Sequence, residues 1–178
     1  MKLLIISDIH GSSYYAKKIL EIRKRENPDK IILLGDLYYH GPRNSLTKEY
    51  DPKIVAEILN SLKAEILAVK GNCDAEVDQM ISDFELKDNL KLDINGFKVF
   101  FTHGHKYNID NLPEEKIDIL IYGHFHTGFI KEKDGLIFAN AGSISLPKND
   151  TKNSYLILNE EELILKDIDG NIIDKKEL

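Results

Sequence analysis

Lys2-Leu3-Leu4-Ile5-Ile6-Ser7-Asp8-Ile9-His10-Gly11 opens the 178-residue chain and decides its fold. Four consecutive apolar residues between polar ones fit a strand buried on both faces, and the run stops at two groups that carry chemistry, Asp8 and His10. Gly11 to Arg25 then shows helical spacing. The unit repeats: Ile31 to Leu34 is a second buried-type strand, a polar loop carries Gly41, Pro42 and Asn44, and Pro52 to Leu62 sets Ile54, Val55, Ile58, Leu59 and Leu62 at helical intervals with Pro52 in the first turn. Ile66 to Val69 supplies a third strand. This alternation predicts βαβαβ, a parallel sheet with right-handed crossovers.

Beyond residue 80 the spacing shortens. Asn95-Gly96, Asp134-Gly135 and Gly170-Asn171 are turn dipeptides flanked by apolar residues, which predicts hairpins. The expected antiparallel pairs are Lys91 to Ile94 with Lys98 to Phe101, Phe129 to Lys131 with Leu136 to Ala139, and Tyr155 to Leu158 with Leu163 to Lys166. Ile117 to Tyr122 reads as a buried strand between them. No repeat, low-complexity tract or linker marks a boundary, so residues 1–178 are expected to form a single domain, an α/β fold of two packed mixed sheets with helices outside (αββα).

Composition narrows the function. With 24 Lys+Arg against 30 Asp+Glu the net charge is −6, which repels a phosphate backbone at long range and disfavours nucleic acid as a partner. The single cysteine, Cys73, cannot form an internal disulfide and rules out a cysteine-rich zinc site, which predicts the cytoplasm. Asp8 and His10 interrupt the first apolar run before it reaches signal-peptide length, and the other runs are far below the roughly 18 residues of a membrane helix. A homo-oligomer remains compatible with all of this.

Histidines and carboxylates gather just past the ends of the apolar strands. Asp8 and His10 follow the first, Gly35-Asp36 the second, Gly71-Asn72-Cys73-Asp74 the third, His103-Gly104-His105 follows Phe100-Phe101, and Gly123-His124-Phe125-His126 follows Ile119 to Tyr122. Ligands of α/β sheets bind beyond the carboxyl ends of the strands, so five loops distant in sequence can converge there. Singly, each has a plain structural explanation: an Asp after a strand caps the next helix, a Gly-Asp pair makes a turn, and a lone His is hydrogen-bonded. Jointly they supply enough oxygen and imidazole donors for two ions of the Mn, Fe, Zn or Ni type, and paired ions are the usual clamp for displacement at a phosphate ester.

Asp8-Ile9-His10, Gly35-Asp36, Gly71-Asn72, His103-Gly104 and Gly123-His124-Phe125-His126 resemble the five ordered motifs of the calcineurin-like metallophosphoesterases. Ser7 to Gly11, His40-Gly41-Pro42-Arg43-Asn44, Gly71 to Asp74 and Asn140-Ala141-Gly142-Ser143 are similar to the small bacterial phosphodiesterases within that superfamily. The resemblance implies one ion held by Asp8, His10, Asp36 and His126 and a second by Asp36, Asn72, His103 and His124. Asp36 would bridge through its two oxygens, and a water made acidic by the metals would supply hydroxide as nucleophile. It implies a phosphodiesterase for small organic diesters with two divalent ions, Mn first and Zn, Fe or Ni as alternatives. A phosphomonoesterase or nuclease using the same ions, and a binding scaffold of the same fold, are the other readings; a full ligand set argues against the scaffold.

Many members carry His where this chain has Cys73, and that His is assigned to leaving-group protonation or phosphate binding. A thiol is a weak donor without positive charge, so Cys73 is either a weak acid or a small packing residue. His105 is expected to orient a ligand or face phosphate, acting in catalysis or substrate binding. Arg43, whose planar fork matches phosphate oxygens, is the candidate substrate contact; it and His40 otherwise sit in a solvated loop.

Overall fold

The computed structural model describes residues 1–178. Strands β1 (Leu3–Ile6), β2 (Lys30–Leu33) and β3 (Ile66–Val69) run parallel, connected by helices α1 (Ser13–Glu26) and α2 (Pro52–Ser61). The helix ends follow from local chemistry. Ser12 accepts from the Tyr15 N–H at the start of α1, Asn27 closes it in the left-handed conformation, and Asp51 accepts from the Ile54 N–H at the start of α2. A short helix α3 (Glu76–Ile81) and a two-residue strand β4 (Leu86–Lys87) follow, and neither was expected from the sequence. Six and two residues are too few to show a period.

The remaining strands are β5 (Leu90–Ile94), β6 (Phe97–Phe101), β7 (Ile119–Tyr122), β8 (Phe129–Lys133), β9 (Leu136–Asn140), β10 (Ser154–Leu158), β11 (Glu162–Asp167) and β12 (Ile172–Glu177). All three turn dipeptides lie between antiparallel strands as expected: Asn95-Gly96 and Asp134-Gly135, all four residues with positive φ, join β5 to β6 and β8 to β9, and Gly170-Asn171, with Gly170 at positive φ, lies in the longer turn between β11 and β12. The chain's last three strands return to the first sheet, whose order is β12-β11-β10-β1-β2-β3-β4; the second is β5-β6-β7-β9-β8.

Period-two alternation lets one strand feed two cores. Leu3 and Ile5 of β1, with Ile32 and Leu34, face Val99, Phe101, Ile119 and Ile121 of the second sheet, while Leu4 and Ile6, with Ile31 and Leu33, face Ile19 and Ile22 of α1 and Val55 and Leu59 of α2. This is why the opening run is apolar without interruption, each buried Leu or Ile being worth about 1.5–3 kcal/mol. The two mixed sheets are those expected, but helical cover is confined to the first. On the outer face of the second sheet, Phe100, Leu120, Tyr122 and Phe138 pack against Tyr107 and Ile109 of a loop. No helix is long and apolar enough to cross a membrane.

Candidate metal centre

Backbone pairing continues past the strand ends and brings the loops together. Asp8, His10 and Gly11 donate their N–H groups to the carbonyls of Gly35, Asp36 and Leu37, so the first two loops are zipped in register. Gly123 donates to the His103 carbonyl at 2.9 Å and Ala141 to that of Tyr122, which aligns the loops of the second sheet. Ile144 donates to the Ser7 carbonyl at 3.1 Å and ties the two sheets at the site. Two glycines permit this closeness: a Cβ at Gly71 would strike Asp36, and one at Gly123 would strike Ser7.

Eleven non-glycine residues have positive φ, and five of them are Asp8, His10, Asp36, His124 and His126. Such backbone costs of order 1 kcal/mol each for a side chain bearing a Cβ, and its concentration on these residues marks a constellation that the surrounding structure enforces.

The side chains form two half-sites sharing Asp36. In the inner one, His10 Nδ1 donates to the Tyr39 carbonyl at 2.8 Å and His126 Nδ1 to the Leu146 carbonyl at 2.7 Å. A carbonyl only accepts, so each Nδ1 carries the proton and each Nε2 presents a lone pair when the ring is neutral. The two Nε2 atoms face each other at 3.2 Å and lie 3.5 and 3.2 Å from Asp8 Oδ1. Asp8 Oδ2 is held by the Ser7 hydroxyl at 2.6 Å and the His124 N–H at 3.0 Å. Its Oδ1 is buried and receives no hydrogen bond.

In the outer half-site His103 Nδ1 donates to the Leu34 carbonyl at 2.7 Å, leaving Nε2 at 2.9 Å from Asn72 Oδ1, 3.2 Å from His124 Nδ1 and 3.5 Å from Asp36 Oδ2. Asp36 Oδ1 accepts the Cys73 N–H at 2.8 Å, while Oδ2 is 3.7 Å from His10 Nε2. Asp36 Oδ2 thus faces the imidazoles of both half-sites, 3.7 Å from His10 and 3.5 Å from His103, while Oδ1 accepts the Cys73 N–H.

These residues fit divalent cations. A buried carboxylate oxygen without a donor, beside imidazole nitrogens whose opposite atoms are fixed on carbonyls, lacks only a positive charge. Burial pushes the Asp8 carboxyl up, yet His10 and His126 outweigh it and hold it well below the usual carboxylate range. His103 is likewise opposed by burial but raised to about 9 by Asp36 and Asp8, whereas burial and His103 lower His124 to about 4. Asp8, His10 and His126, and separately Asp8, Asp36 and His103, each bring ligand atoms within 4.8 Å of one another.

Several supports were not legible in the sequence. Asp74 accepts from the Asp36 and Gly71 N–H groups on Oδ2, at 2.8 and 2.7 Å, and from the Leu37 N–H on Oδ1 at 2.8 Å, so one buried carboxylate pins the loops carrying Asp36 and Asn72. Burial first, then Asp36, pushes it up to about 6. Its place in Gly71-Asn72-Cys73-Asp74 was the available signal. Ser143 and Ser145 each donate to the Asp8 carbonyl at 2.8 Å, and Asn140 donates to the Gly123 carbonyl at 2.7 Å, giving the Asn140-Ala141-Gly142-Ser143 motif its work.

A groove of about 680 Å³ opens over the centre, lined by the candidate ligands His10, Asp36, Asn72, His124 and His126 with Cys73, and also by Tyr39, Pro42, Arg43, Asn44, Phe125 and Lys148. Arg43 thus borders it. The exposed His105 ring lies 5.4 Å from that of His103 and 6.2 Å from that of His124, outside the groove lining, and His40 is sandwiched between Tyr39 and Tyr50 at 4.7 and 5.3 Å. The Cys73 thiol is pushed up to about 12 by burial and Asp36.

A fold of two mixed sheets with paired His, Asp and Asn loops at one end defines the metal-dependent phosphoesterase class, and the comparisons with known proteins agree. Residues 1–163 match the calcineurin-like phosphoesterase superfamily domain, and the chain belongs to that family. It is 38% identical to phosphodiesterase YfcE of Escherichia coli over 165 residues, 92% of this chain and 90% of that protein. The structure of Escherichia coli YfcE, described as a phosphoesterase, superposes with a TM-score of 0.95 at 36% identity, covering 99% and 98% of the two chains. Vps29 of Entamoeba histolytica shares the fold, with a TM-score of 0.66 at 24% identity over 100% and 99% of the chains.

Proposed function

We propose that this protein is a phosphoric diester hydrolase that uses two divalent ions, Mn foremost, to cleave small organic phosphodiesters with hydroxide as nucleophile. Membership of the phosphoesterase superfamily and 38% identity to a phosphodiesterase support the reaction class. The observation that carries the two-ion reading is Asp36 Oδ2, which faces His10 on one side and His103 on the other. Asp8, His10, Asp36 and His126 would hold the inner ion and Asp36, Asn72, His103 and His124 the outer. When bound, such ions supply Lewis acidity and make a water acidic enough to furnish hydroxide near neutral pH.

The chain's own groups do the rest. Two carboxylates against two divalent charges leave the centre positive, which suits an anionic ester in a protein of net charge −6. Arg43, which lines the groove, offers a planar fork for an anionic group of the substrate. The Cys73 thiol is a weak hydrogen-bond donor without positive charge and assists departure little, so esters whose leaving group is stable as an anion are favoured.

The test is hydrolysis of bis-p-nitrophenyl phosphate by purified protein reconstituted with Mn, Zn, Fe or Ni, beside p-nitrophenyl phosphate. Diesterase turnover with at least one metal and a preference for the diester are expected. No turnover above the metal-only control with any of the four overturns the proposal.

A further inference from the structure

The groove is lined by more than the candidate ligands. Two large aromatic side chains stand in solvent there, Tyr39 at 41% and Phe125 at 45% exposure. Neither is loose. The Phe125 N–H donates to the Gly123 carbonyl at 2.7 Å and its ring packs edge-on against His124 at 5.1 Å and Tyr122 at 6.1 Å; the Tyr39 ring packs on His40, which packs on Tyr50. Exposed apolar rings held rigid beside a polar centre offer stacking surface at little entropic cost.

Two exposed cations, Arg43 and Lys148, line the same groove. Of the three arginines, Arg23 forms an ion pair with Glu65 and Arg25 bonds Tyr155 and the Ile168 carbonyl, whereas the Arg43 guanidinium has neither an ion pair nor a hydrogen bond. The Lys148 ammonium is equally unpaired, while its backbone is fixed: its N–H donates to the His126 carbonyl at 3.0 Å and its carbonyl accepts from Thr151. Each wall is thus tethered to an inner ligand, the Tyr39 carbonyl to His10 and Lys148 to His126. A single diester phosphate over the ions carries one negative charge, which the centre itself neutralises. Two further free cations and two rings in a groove of about 680 Å³ ask for a larger ligand with more charge.

Resting on the phosphodiesterase reading, we infer that the substrate is nucleotide-like: a phosphodiester with an aromatic or heteroaromatic ring beside the scissile phosphate, stacked on Tyr39 or Phe125, and a second anionic group bound by Arg43 and Lys148.

The probes are methyl p-nitrophenyl phosphate, the p-nitrophenyl ester of thymidine 5′-phosphate, and that same ester phosphorylated on its 3′-hydroxyl. All three release p-nitrophenolate, so ratios of kcat/KM within one variant report recognition and not leaving-group chemistry. With Mn-loaded protein at fixed low ionic strength, the 3′-phosphorylated ester should exceed the unphosphorylated one about tenfold, the size of one charge-assisted hydrogen bond. Lys148→Gln and Arg43→Gln should each bring that ratio toward one. Phe125→Ala and Tyr39→Ala should instead shrink the ratio of the thymidine ester to the methyl ester. Calorimetric binding of thymidine 3′,5′-bisphosphate against thymidine 5′-phosphate reads the same preference without turnover. A wild-type ratio near one in either kinetic comparison, or equal binding of the two nucleotides, overturns the inference. Preferential bisphosphate binding that is lost in Lys148→Gln, in a protein that hydrolyses no diester, sinks the phosphodiesterase proposal and the scissile diester with it, and sustains only the recognition of a ring and a second anion by the groove.

Discussion

The inner half-site is sealed and the outer one is open. Asp8, His10 and His126 are each at most 2% exposed, whereas in the outer half-site only His103 is fully buried, His124 is half-buried and Asn72 is exposed. The inner imidazoles are both fixed on carbonyls and Asp8 is held by two donors, while Asn72 reaches the site from a loop and has only the His103 ring and the Cys73 sulfur, at 3.3 Å from its Nδ2, as partners. Pre-positioned ligands lose little entropy on binding, so the inner ion should bind tighter and exchange more slowly than the outer.

The change expected to matter most removes the group common to both. Asp36→Asn leaves one neutral oxygen between the half-sites, and diester turnover should fall by about 10²–10³-fold or more, the scale for losing a group that stabilises charge in a site. His103→Ala should act similarly. Circular dichroism and melting must show both variants folded; near-normal turnover in either folded variant removes that residue from the mechanism.

Metal counting tests the inequality directly. Elemental analysis of Mn-saturated wild type should give two ions per chain. Asn72→Ala should retain one after gel filtration, and His126→Ala should lose the tighter ion, seen as a smaller metal-induced rise in Tm than in Asn72→Ala. Equal Tm gains in the two variants would erase the distinction between half-sites.

Asp74→Asn asks how far the outer half-site depends on its loop. One amide oxygen cannot take three N–H donors, and the amide NH₂ would point at at least one of them, which costs about 1–3 kcal/mol for a buried group left unpaired. Tm should fall by several degrees in metal-free protein, and Mn affinity by about 10–100-fold, the usual cost of losing a group that orients ligands. An unchanged metal affinity would show that Asp74 serves only stability.

Cys73 carries the smallest expected effect. Across aryl phosphodiesters of rising leaving-group pKa, wild type and Cys73→Ala should show similar steep slopes, and Cys73→His should flatten the slope by helping poor leaving groups most, because an imidazole is closer to neutral pH than a thiol. A much steeper slope in Cys73→Ala than in wild type would show that the thiol already donates the proton. Equal slopes in all three variants would take position 73 out of leaving-group chemistry.

Much of the molecule was written in short stretches of sequence. The runs that became β1, β2, β3 and β7 could be read because strands buried on both faces need consecutive apolar residues, and the two two-residue hairpins because positive φ at both turn positions favours Asn-Gly and Asp-Gly. β12 was signalled only by its turn, Gly170-Asn171: Ile172 to Glu177 is largely exposed and its composition resembles a loop, and pairing with β11 makes it a strand. The seven expected ligands were legible as residue types at strand ends. The contributions of Asp74 and Lys148 were not, since a carboxylate receiving backbone amides and a lysine at a groove wall look like any other charged residue in a loop.

By itself the sequence determined the parallel βαβαβ half and which side chains have ligand chemistry, because periodicity, turn dipeptides and donor type are local properties. Only the tertiary structure decided which atoms meet. Asp8 and His126 come within 3.2 Å across a separation of 118 residues, the Cys73 N–H reaches one oxygen of Asp36 while the other faces His10 and His103, and His105 lies outside a groove that Lys148 borders. Those outcomes depend on how two sheets pack and on where each loop's backbone amides find acceptors, and long-range packing and hydrogen bonding leave no periodic trace along the chain.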